Sequence, residues 1–270
     1  MSTRFPTFYL SHGGGPWPYM SGEARRLHAA LEAALRELPG RLPERPEAIL
    51  VVSAHWEERD WAVMASAAPP MVYDFYGFPE ETYRARYPAA GAPELAKRAH
   101  ALIGRAGLAS HLDPARGFDH GTYALLAIAY PEADIPVIQV SIRADYGPSA
   151  HLALGRSLAP LREEGVLIIG SGSSYHNLRR FFRGEERRQD SAQFDAWLRE
   201  TLTGSPDSRA ARLLRWEQAP GARAAHPQED HLVPLHVAVG AAEHEPAEVI
   251  YRQEDFFGAI TLSSYRFGSA

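Results

Sequence analysis

Short apolar runs alternate with longer amphipathic segments along most of this chain of 270 residues. Residues 48–55 and 166–171 are rich in aliphatic and β-branched side chains, which is typical of buried strands. Residues 21–38 carry leucines on one helical face, a spacing that predicts an amphipathic helix. Strands that alternate with helices predict an α/β fold, a layered α/β/α domain around a largely parallel or mixed central sheet. Because no linker interrupts the pattern, we expect a single domain over residues 1–270.

Proline and glycine divide several of the remaining segments. Residues 69–88 combine aromatic residues with proline and glycine, which indicates a long loop. Residues 149–164 and 227–242 are predicted helices, and proline occupies the first turn of the second. Pro234 lies inside that second helix and cannot donate a main-chain hydrogen bond to residue 230. A kink or local bulge is therefore expected there.

Composition excludes several kinds of chemistry. Cysteine is absent, so disulfide frameworks, thiolate zinc sites, iron–sulfur clusters and a cysteine nucleophile are all ruled out. The formal net charge of −5 gives no reason to expect a nucleic acid or an anionic membrane as partner. No signal peptide is recognisable, and the longest aliphatic runs are far too short to cross a bilayer. We therefore expect a cytoplasmic protein.

Histidines follow three of the predicted strands. His12 stands in the run SHGGGP, His55 in SAHWE, and His176 in GSGSSYHN. In parallel sheets, ligands bind outside the carboxyl ends of the strands, so these histidines are expected to be neighbours after folding. Neutral imidazole is the commonest metal ligand for ions such as iron(II) and zinc. The sequence therefore predicts a metal site at this edge of the sheet.

Another pair of histidines brackets an acidic segment near the C-terminus, HPQEDH. His226 is expected at the helix cap and His231 about a turn and a half inside the helix. The two side chains then point in different directions, so one can bind a metal while the other faces a substrate. The simpler interpretation is a solvated helix start, where Glu229 and Asp230 suit the positive end of the helix dipole.

Single histidines at such places also have plain structural explanations. His12 or His55 taken alone is best explained as a satisfied polar side chain at a strand end, and the glycines after His12 as a simple turn. Asp119, which precedes His120, either orients that ring or caps the following helix. The metal hypothesis rests on His12 and His55 occurring together at the ends of two apolar strands.

Five motifs occur in a fixed order along the chain: SHGGGP, SAHWE, DHG, GSGxxxHNL and HPxxDHLVPL. The set resembles the extradiol ring-cleaving dioxygenases of the DOPA 4,5-dioxygenase type, in the superfamily of protocatechuate 4,5-dioxygenase catalytic chains. The likeness covers about residues 5–265. It implies a single catalytic domain, 1–270, that cleaves the ring of a catechol with O2. The expected substrate is DOPA-like or another 3,4-dihydroxyphenyl compound, and the expected product is of the muconic semialdehyde type.

The resemblance also implies roles for individual residues. His12, His55 and His231 match the metal-ligand positions. His176 matches the acid/base histidine, with a fourth metal ligand as the alternative. His120 and His226 match catalytic positions near the metal or positions in contact with the substrate. The aromatic loop at 73–79 offers Tyr73 and Phe75, either to stack on the substrate ring or to pack over the sheet edge.

Iron(II) is the cofactor expected for activity, although three neutral ligands suit zinc(II) as well, so zinc(II) can occupy the site. The expected partners are a small-molecule catechol and O2. A zinc-dependent hydrolase and a non-enzymatic binding protein of the same fold are the two alternative functions. The presence of all five motif histidines argues against the binding protein. The sequence leaves open which catechol is used and whether the chain forms a homo-oligomer.

Overall fold

The computed structural model describes residues 4–182 and 186–269. Eight β-strands form one sheet within these residues: β1 (Thr7–Ser11), β2 (Ala48–Glu58), β3 (Trp61–Met64), β4 (Ser110–Asp113), β5 (Val137–Arg143), β6 (Val166–Gly172), β7 (Ala247–Phe256) and β8 (Ile260–Phe267). Ten α-helices lie in the same described ranges: α1 (Gly22–Arg26), α2 (Ala29–Arg36), α3 (Pro93–Arg105), α4 (His120–Ala129), α5 (Pro148–Leu158), α6 (Leu178–Phe181), α7 (Glu186–Thr203), α8 (Pro206–Leu213), α9 (Ala222–Ala225) and α10 (Val233–Ala241).

The strand order across the sheet is β4-β3-β5-β2-β6-β1-β8-β7. The four central strands, β5, β2, β6 and β1, run parallel to one another. β3 pairs antiparallel with β5 on one side, and β8 pairs antiparallel with β1 on the other. The sheet is thus mixed with a parallel centre, and the predicted α/β fold class is confirmed. This topology brings the carboxyl ends of β1, β2 and β6 to the same edge.

Hydrophobic side chains of the central strands divide between two cores. Ile49 and Val51 of β2 belong to a core that also contains Leu125 of α4. Leu50 and Val52 belong to the core on the opposite face, which contains Leu102 of α3. Successive side chains of a strand point to opposite faces, so a continuous apolar run is what a strand buried on both sides requires. The helices therefore cover both faces of the sheet.

Two predicted helices are each divided into two shorter elements. Residues 21–38 form α1 and α2 with a turn between them, because His28 is drawn inward at that point. Its ring stacks on Trp17, with centroids 4.8 Å apart, and its Nε2 accepts a hydrogen bond from the main-chain N–H of Gly14 at 3.3 Å. The predicted helix at 149–164 becomes α5 followed by a 3-10 helix, Ala159–Glu163. Tertiary contacts override helical periodicity in the first case.

The predicted kink at Pro234 is wrong. Helix α10 begins only at Val233, so Pro234 lies in its first turn. Main-chain N–H groups in a first turn have no partner within the helix, and proline costs nothing there. His231 therefore lies in the turn before the helix instead of inside it. The sequence patterns also did not predict β4, α6, α8 and α9.

Candidate metal centre

Three elements of the sheet bring the predicted histidines to one edge. His12 directly follows β1, His55 lies in β2, and His176 belongs to the segment after β6. β6 pairs in parallel with both neighbours, placing Ser171 opposite Leu10 of β1 and opposite Ser53 of β2. The carboxyl ends of the three strands are therefore level, as ligand sites in α/β sheets require.

His12, His55 and His231 lie together at this edge. The Nε2 atoms of His12 and His55 are 3.1 Å apart, and those of His231 and His55 are also 3.1 Å apart. Their ring centroids are separated by 4.8 to 5.0 Å in all three pairs. Ring nitrogens of His12, His55 and His120 also come within 4.8 Å of one another, so a fourth imidazole borders the same space.

Glycines shape the turn that follows His12. Gly13 has a φ of +77° and a Cβ there would overlap the rings of Trp17 and His28, so only glycine fits. The indole N–H of Trp17 donates to the main-chain oxygen of His12 at 2.7 Å. The turn thus folds back on itself and holds His12 at the end of β1. Close packing of side chains is therefore the reason for glycine at position 13, in addition to the turn itself.

An irregularity in β2 directs His55. The pairing of β2 with β5 shifts register between Val52 and Glu57, and His55 lies within that interval. Such bulges turn a side chain away from the regular alternation and are frequent beside active sites. The main-chain oxygen of His55 accepts a hydrogen bond from Arg116 at 3.2 Å, which holds the distorted segment.

The turn that carries His231 rests directly on β6. A Cβ at Gly172 would lie 2.1 Å from the main-chain oxygen of His231, so the close approach requires glycine. The hydroxyl of Tyr9 and the main-chain N–H of Ser173 both donate to that oxygen, at 2.8 and 3.1 Å. These contacts fix the turn although it is not helical.

The hydrogen bonds around His12 determine where its ring carries a proton. The hydroxyl of Ser171 donates to the main-chain oxygen of Gly121. Its one hydrogen is thereby used, so it acts as an acceptor toward Nδ1 of His12, 3.0 Å away. Nδ1 of His12 therefore carries the hydrogen, and Nε2 keeps a free lone pair.

Carboxylates select the same tautomer in the other two rings. Nδ1 of His231 donates to Asp230 Oδ2 at 2.6 Å. Nδ1 of His55 lies 3.2 Å from Asp74 Oδ2. An ionised carboxylate only accepts hydrogen bonds, so it favours the hydrogen on the adjacent Nδ1, through a hydrogen bond in His231 and through the nearby negative charge in His55, and leaves both Nε2 atoms free.

Three Nε2 lone pairs therefore face one another at the centre of this cluster. Such an arrangement is repulsive by itself, and a divalent cation between the nitrogens converts the repulsion into coordination. Burial, followed by neighbouring histidines, holds the pKa values of His12 and His55 well below the usual range. Burial, followed by the nearby His176, lowers the pKa of His231 to about 4. All three rings stay neutral at pH 7, as a metal ligand must.

His120 is oriented by Asp74. Its Nδ1 donates to Asp74 Oδ2 at 2.9 Å and its main-chain N–H donates to Asp74 Oδ1 at 3.1 Å. Asp119 instead caps α4, accepting from the main-chain N–H of Thr122 at 3.2 Å, and it also binds the hydroxyl of Ser53. Of the two roles considered for Asp119, helix capping is the one observed.

His176 and His226 lie on the opposite side of the cluster. The His176 ring stacks on His231, with centroids 3.3 Å apart, and its Nδ1 is 3.6 Å from Asp230 Oδ2. His226 is completely buried, and its Nε2 donates to the main-chain oxygen of Ser174 at 3.1 Å. His226 therefore holds the segment that leads to His176. Burial lowers the pKa of His226 to about 3, so this ring is neutral.

The aromatic loop borders the cluster from the side of His120. The centroid of Phe75 lies 6.1 Å from that of His120. Tyr73 packs edge-on against Phe75 and donates its hydroxyl hydrogen to the main-chain oxygen of Ala85 at 2.9 Å. Phe75 is thus nearer to the cluster than Tyr73. A cavity of about 300 Å³ opens on the far side, lined by His176, Asn177, Leu178, Arg179, Pro227, Gln228 and Asp230.

Comparison with known proteins agrees with this geometry. Residues 2–268 match the family described as the catalytic LigB subunit of aromatic ring-opening dioxygenase. The chain belongs to this family. It is 40% identical to a 4,5-DOPA dioxygenase extradiol from Portulaca grandiflora and 39% identical to one from Beta vulgaris. Each match covers 97% of this chain and 96% of the relative.

A solved structure shares the fold of this LigB family member. The crystal structure of an uncharacterised protein from Escherichia coli K12 matches with a TM-score of 0.79 and 31% identity. The match covers 98% of this chain and 100% of the other. The family expected from the five motifs is therefore confirmed, and so is the enzyme class, a metal-binding extradiol ring-opening dioxygenase.

Three side chains that orient the histidines were not predicted as parts of the site. They are Ser171, Asp74 and Asp230. For Asp230, the sequence offers only the simpler interpretation of a solvated helix start. Metal-binding histidines almost always donate their second N–H to a carboxylate or carbonyl oxygen. That rule points to Asp230, which is adjacent to His231, but it cannot identify Asp74 without the fold.

As regards membranes, the described residues contain no helix with the length and apolar character of a transmembrane span.

Proposed function

We propose that His12, His55 and His231 hold the metal of this dioxygenase, and that iron(II) is the ion required for activity. The supporting observation is the orientation of three Nε2 lone pairs toward one point: Nδ1 of His12 and of His231 is hydrogen bonded elsewhere, and Nδ1 of His55 faces the Asp74 carboxylate. Three nitrogen ligands suit iron(II) and zinc(II) alike, so zinc(II) can replace iron(II) in the purified protein. When bound, iron(II) supplies the redox chemistry that joins the catechol and O2.

His176 is proposed as the general base that removes a catechol proton. Its Nδ1 faces Asp230, which leaves Nε2 as the atom that accepts the proton. The two nearby histidines, His176 and His231, overcome the opposing effect of burial and hold the pKa of Asp230 well below its usual range. The carboxylate stays ionised and stabilises the imidazolium that forms on His176. The ring is half-buried beside the cavity, where a substrate can reach it.

His120 is the second proposed catalytic histidine. Asp74 holds its Nδ1, so Nε2 is the atom left to exchange a hydrogen bond or a proton with the second hydroxyl of the catechol. Phe75, with Tyr73 behind it, is proposed to contact the substrate ring from the loop side. His226 contributes through the segment that carries His176. The histidines thus flank the substrate while the aromatic loop excludes water.

The proposed substrate is a 3,4-dihydroxyphenyl compound, cleaved next to the diol to a muconic semialdehyde-type product. The names of two relatives support this class, since both are 4,5-DOPA dioxygenases. Three neutral ligands leave the positive charge of the centre uncompensated, which favours a deprotonated catechol over a neutral phenol. We further propose a single catalytic domain over residues 1–270. A cysteine-free chain suits the reducing cytoplasm, which we propose as its location.

Anaerobic loading with iron(II), followed by air and a panel of catechols, tests the proposal. We expect O2 uptake together with a yellow ring-opened product, strongest for 3,4-dihydroxyphenyl compounds. The panel should include pairs with and without a side-chain carboxylate. The zinc(II)-loaded protein serves as the control and should consume no O2. Hydrolysis of esters or amides by the zinc form, without catechol cleavage by the iron form, would contradict the proposal and favour a hydrolase.

A further inference from the structure

Asp74 connects the aromatic loop, residues 73–79, to two histidines of the cluster. Its Oδ2 lies 2.9 Å from Nδ1 of His120 and 3.2 Å from Nδ1 of His55. Its Oδ1 accepts the main-chain N–H of His120 at 3.1 Å. The Asp74 side chain is only 16% exposed. One carboxylate from the loop therefore accepts two hydrogen bonds from His120 and lies in close polar contact with Nδ1 of His55.

A carboxylate in this position selects the tautomer of His55. A neutral imidazole in water carries its hydrogen on either nitrogen. Asp74 only accepts hydrogen bonds, so it retains the form of His55 with hydrogen on Nδ1 and a free lone pair on Nε2. Asp230 does the same for His231 from the other side of the cluster. The two carboxylates differ because Asp230 is adjacent to its histidine in sequence, whereas Asp74 arrives on a separate loop.

The rest of the aromatic loop is held mainly by packing. Phe78 lies against Gly15, where a Cβ would come within 2.6 Å of its ring, and Phe75 packs near His120. The outer part of the loop turns toward solvent, with Tyr76 91% exposed and Gly77 at a φ of +77°. The Asp74 carboxylate thus provides the polar contacts between the loop and the two histidines, His120 and His55.

We propose that Asp74 is a positioning residue that couples metal binding at His55 to docking of the aromatic loop over the site. This inference rests on the proposed metal ligands. Coupling of this kind is reciprocal: a bound metal holds the loop down, and a docked loop raises the affinity for the metal by the same factor. The residue touches neither metal nor substrate, and its effect passes through His55 and the loop backbone.

Asp74→Asn is the test variant because it keeps the size of the side chain. An amide has one accepting oxygen and one donating nitrogen. In one orientation the amide N–H group of asparagine faces the ring Nδ1–H groups, and in the other it faces the main-chain N–H of His120. Two donors then oppose each other, so part of the contact between the loop and the histidines is lost. Glu81→Gln is the matched control: it makes the same change from carboxylate to amide on an exposed position of the neighbouring 3-10 helix Glu80–Arg84.

Two measurements are made on the full chain. The first is the Kd for Zn²⁺, by competition with a chromogenic chelator. The second is the rate of chymotrypsin cleavage within the loop, with and without saturating Zn²⁺. We expect Zn²⁺ to slow loop cleavage in the wild type and in E81Q. In D74N the Kd should rise about 10- to 100-fold, and saturating Zn²⁺ should no longer protect the loop.

The outcomes separate this inference from the proposed function. If the wild type binds Zn²⁺ and D74N binds it with the same Kd, Asp74 has no positioning role. If the Kd rises but Zn²⁺ still protects the D74N loop as it does in the wild type, the coupling is refuted. If the wild type itself binds no stoichiometric Zn²⁺, the proposed metal centre fails, and this inference fails with it.

Discussion

At the scale of single residues, each proposed ligand is paired with one polar neighbour that decides where its ring carries hydrogen. These neighbours are a hydroxyl for one ring and carboxylates for the other two, namely Ser171, Asp74 and Asp230. Burial keeps the rings neutral, and the neighbours keep the lone pairs directed inward. The proposed metal binding thus depends on six side chains acting in pairs.

His55→Ala should remove the metal. The substitution deletes one of three proposed ligands. We expect the affinity for the metal to fall by more than about 100-fold, which exceeds the loss caused by removing a hydrogen-bond partner of a ligand. Metal content after dialysis, measured by mass spectrometry, checks this. The matched control is His111→Ala, which removes an exposed histidine of β4. Stoichiometric metal and full activity in H55A would show that the ligands are assigned wrongly.

His176→Ala should separate metal binding from turnover. We expect the metal content to stay at the wild-type level while kcat falls by about 10²–10⁴, the range for losing a general acid/base. Metal analysis and O2 uptake on the same sample provide the two readouts. Loss of the metal together with activity would instead identify His176 as a fourth ligand.

At the scale of secondary-structure elements, close approach between β6 and the turn before α10 positions His231. Two glycines of β6 permit this approach. A Cβ at Gly172 would lie 2.1 Å from the main-chain oxygen of His231, and a Cβ at Gly170 would lie 2.2 Å from that of Pro234. Within the turn, the main-chain N–H groups of Leu232 and Val233 donate to the main-chain oxygen of Glu229, and the N–H of Ser173 ties the turn to the end of β6 through the oxygen of His231. The geometry of the ligand therefore depends on packing between two elements that are distant in sequence.

Gly172→Ala should displace this turn. Overpacking of this kind costs about 1–3 kcal/mol, and we expect a lower unfolding midpoint together with weaker metal binding. Gly104→Ala in α3 is the control, because no atom lies within 4 Å of a Cβ there and alanine favours helices. Urea unfolding and Zn²⁺ titration test both variants. Equal destabilisation by the two substitutions would show that crowding at His231 is not the cause.

At the scale of the whole molecule, the fold buries several histidines that take no part in the site. Burial lowers the pKa of His151 to about 3 and that of His236 to about 4. In the unfolded chain these groups titrate near about 6.5. Between these values the unfolded chain binds more protons than the folded one. The free energy of unfolding is therefore not reduced by these two histidines above about pH 6.5, and it decreases as the pH falls toward 4.

His236→Gln should flatten the acid side of the stability profile. Each such histidine removes up to about 1.4 kcal/mol of stability for every pH unit below about 6.5. The free energy of unfolding of the metal-free protein, measured by urea at several pH values from about 7.5 to about 4.5, checks this. We expect H236Q to lose stability less steeply than the wild type. Parallel profiles for the two proteins would show that His236 does not titrate between the two states.

The amino-acid sequence by itself determined seven of the eight strands, the fold class and the proposal of which histidines form the site. The run at 48–55 is continuous and apolar because both faces of its strand are buried, and such a pattern can be read locally. The five motifs likewise indicated the family to which the chain belongs. His12, His55 and His176 were expected together because each follows a strand whose carboxyl end lies at the same sheet edge.

Only the tertiary structure decided how these histidines are oriented. The link from Asp74 to His55, the turn that carries His231 and the break at His28 all depend on contacts between segments far apart in the chain. The periodicity of a sequence indicates which face of an element is buried, but it does not indicate which side chain from a distant segment packs against that face. The choice of tautomer at a metal ligand is a contact of this second kind, so it required the fold.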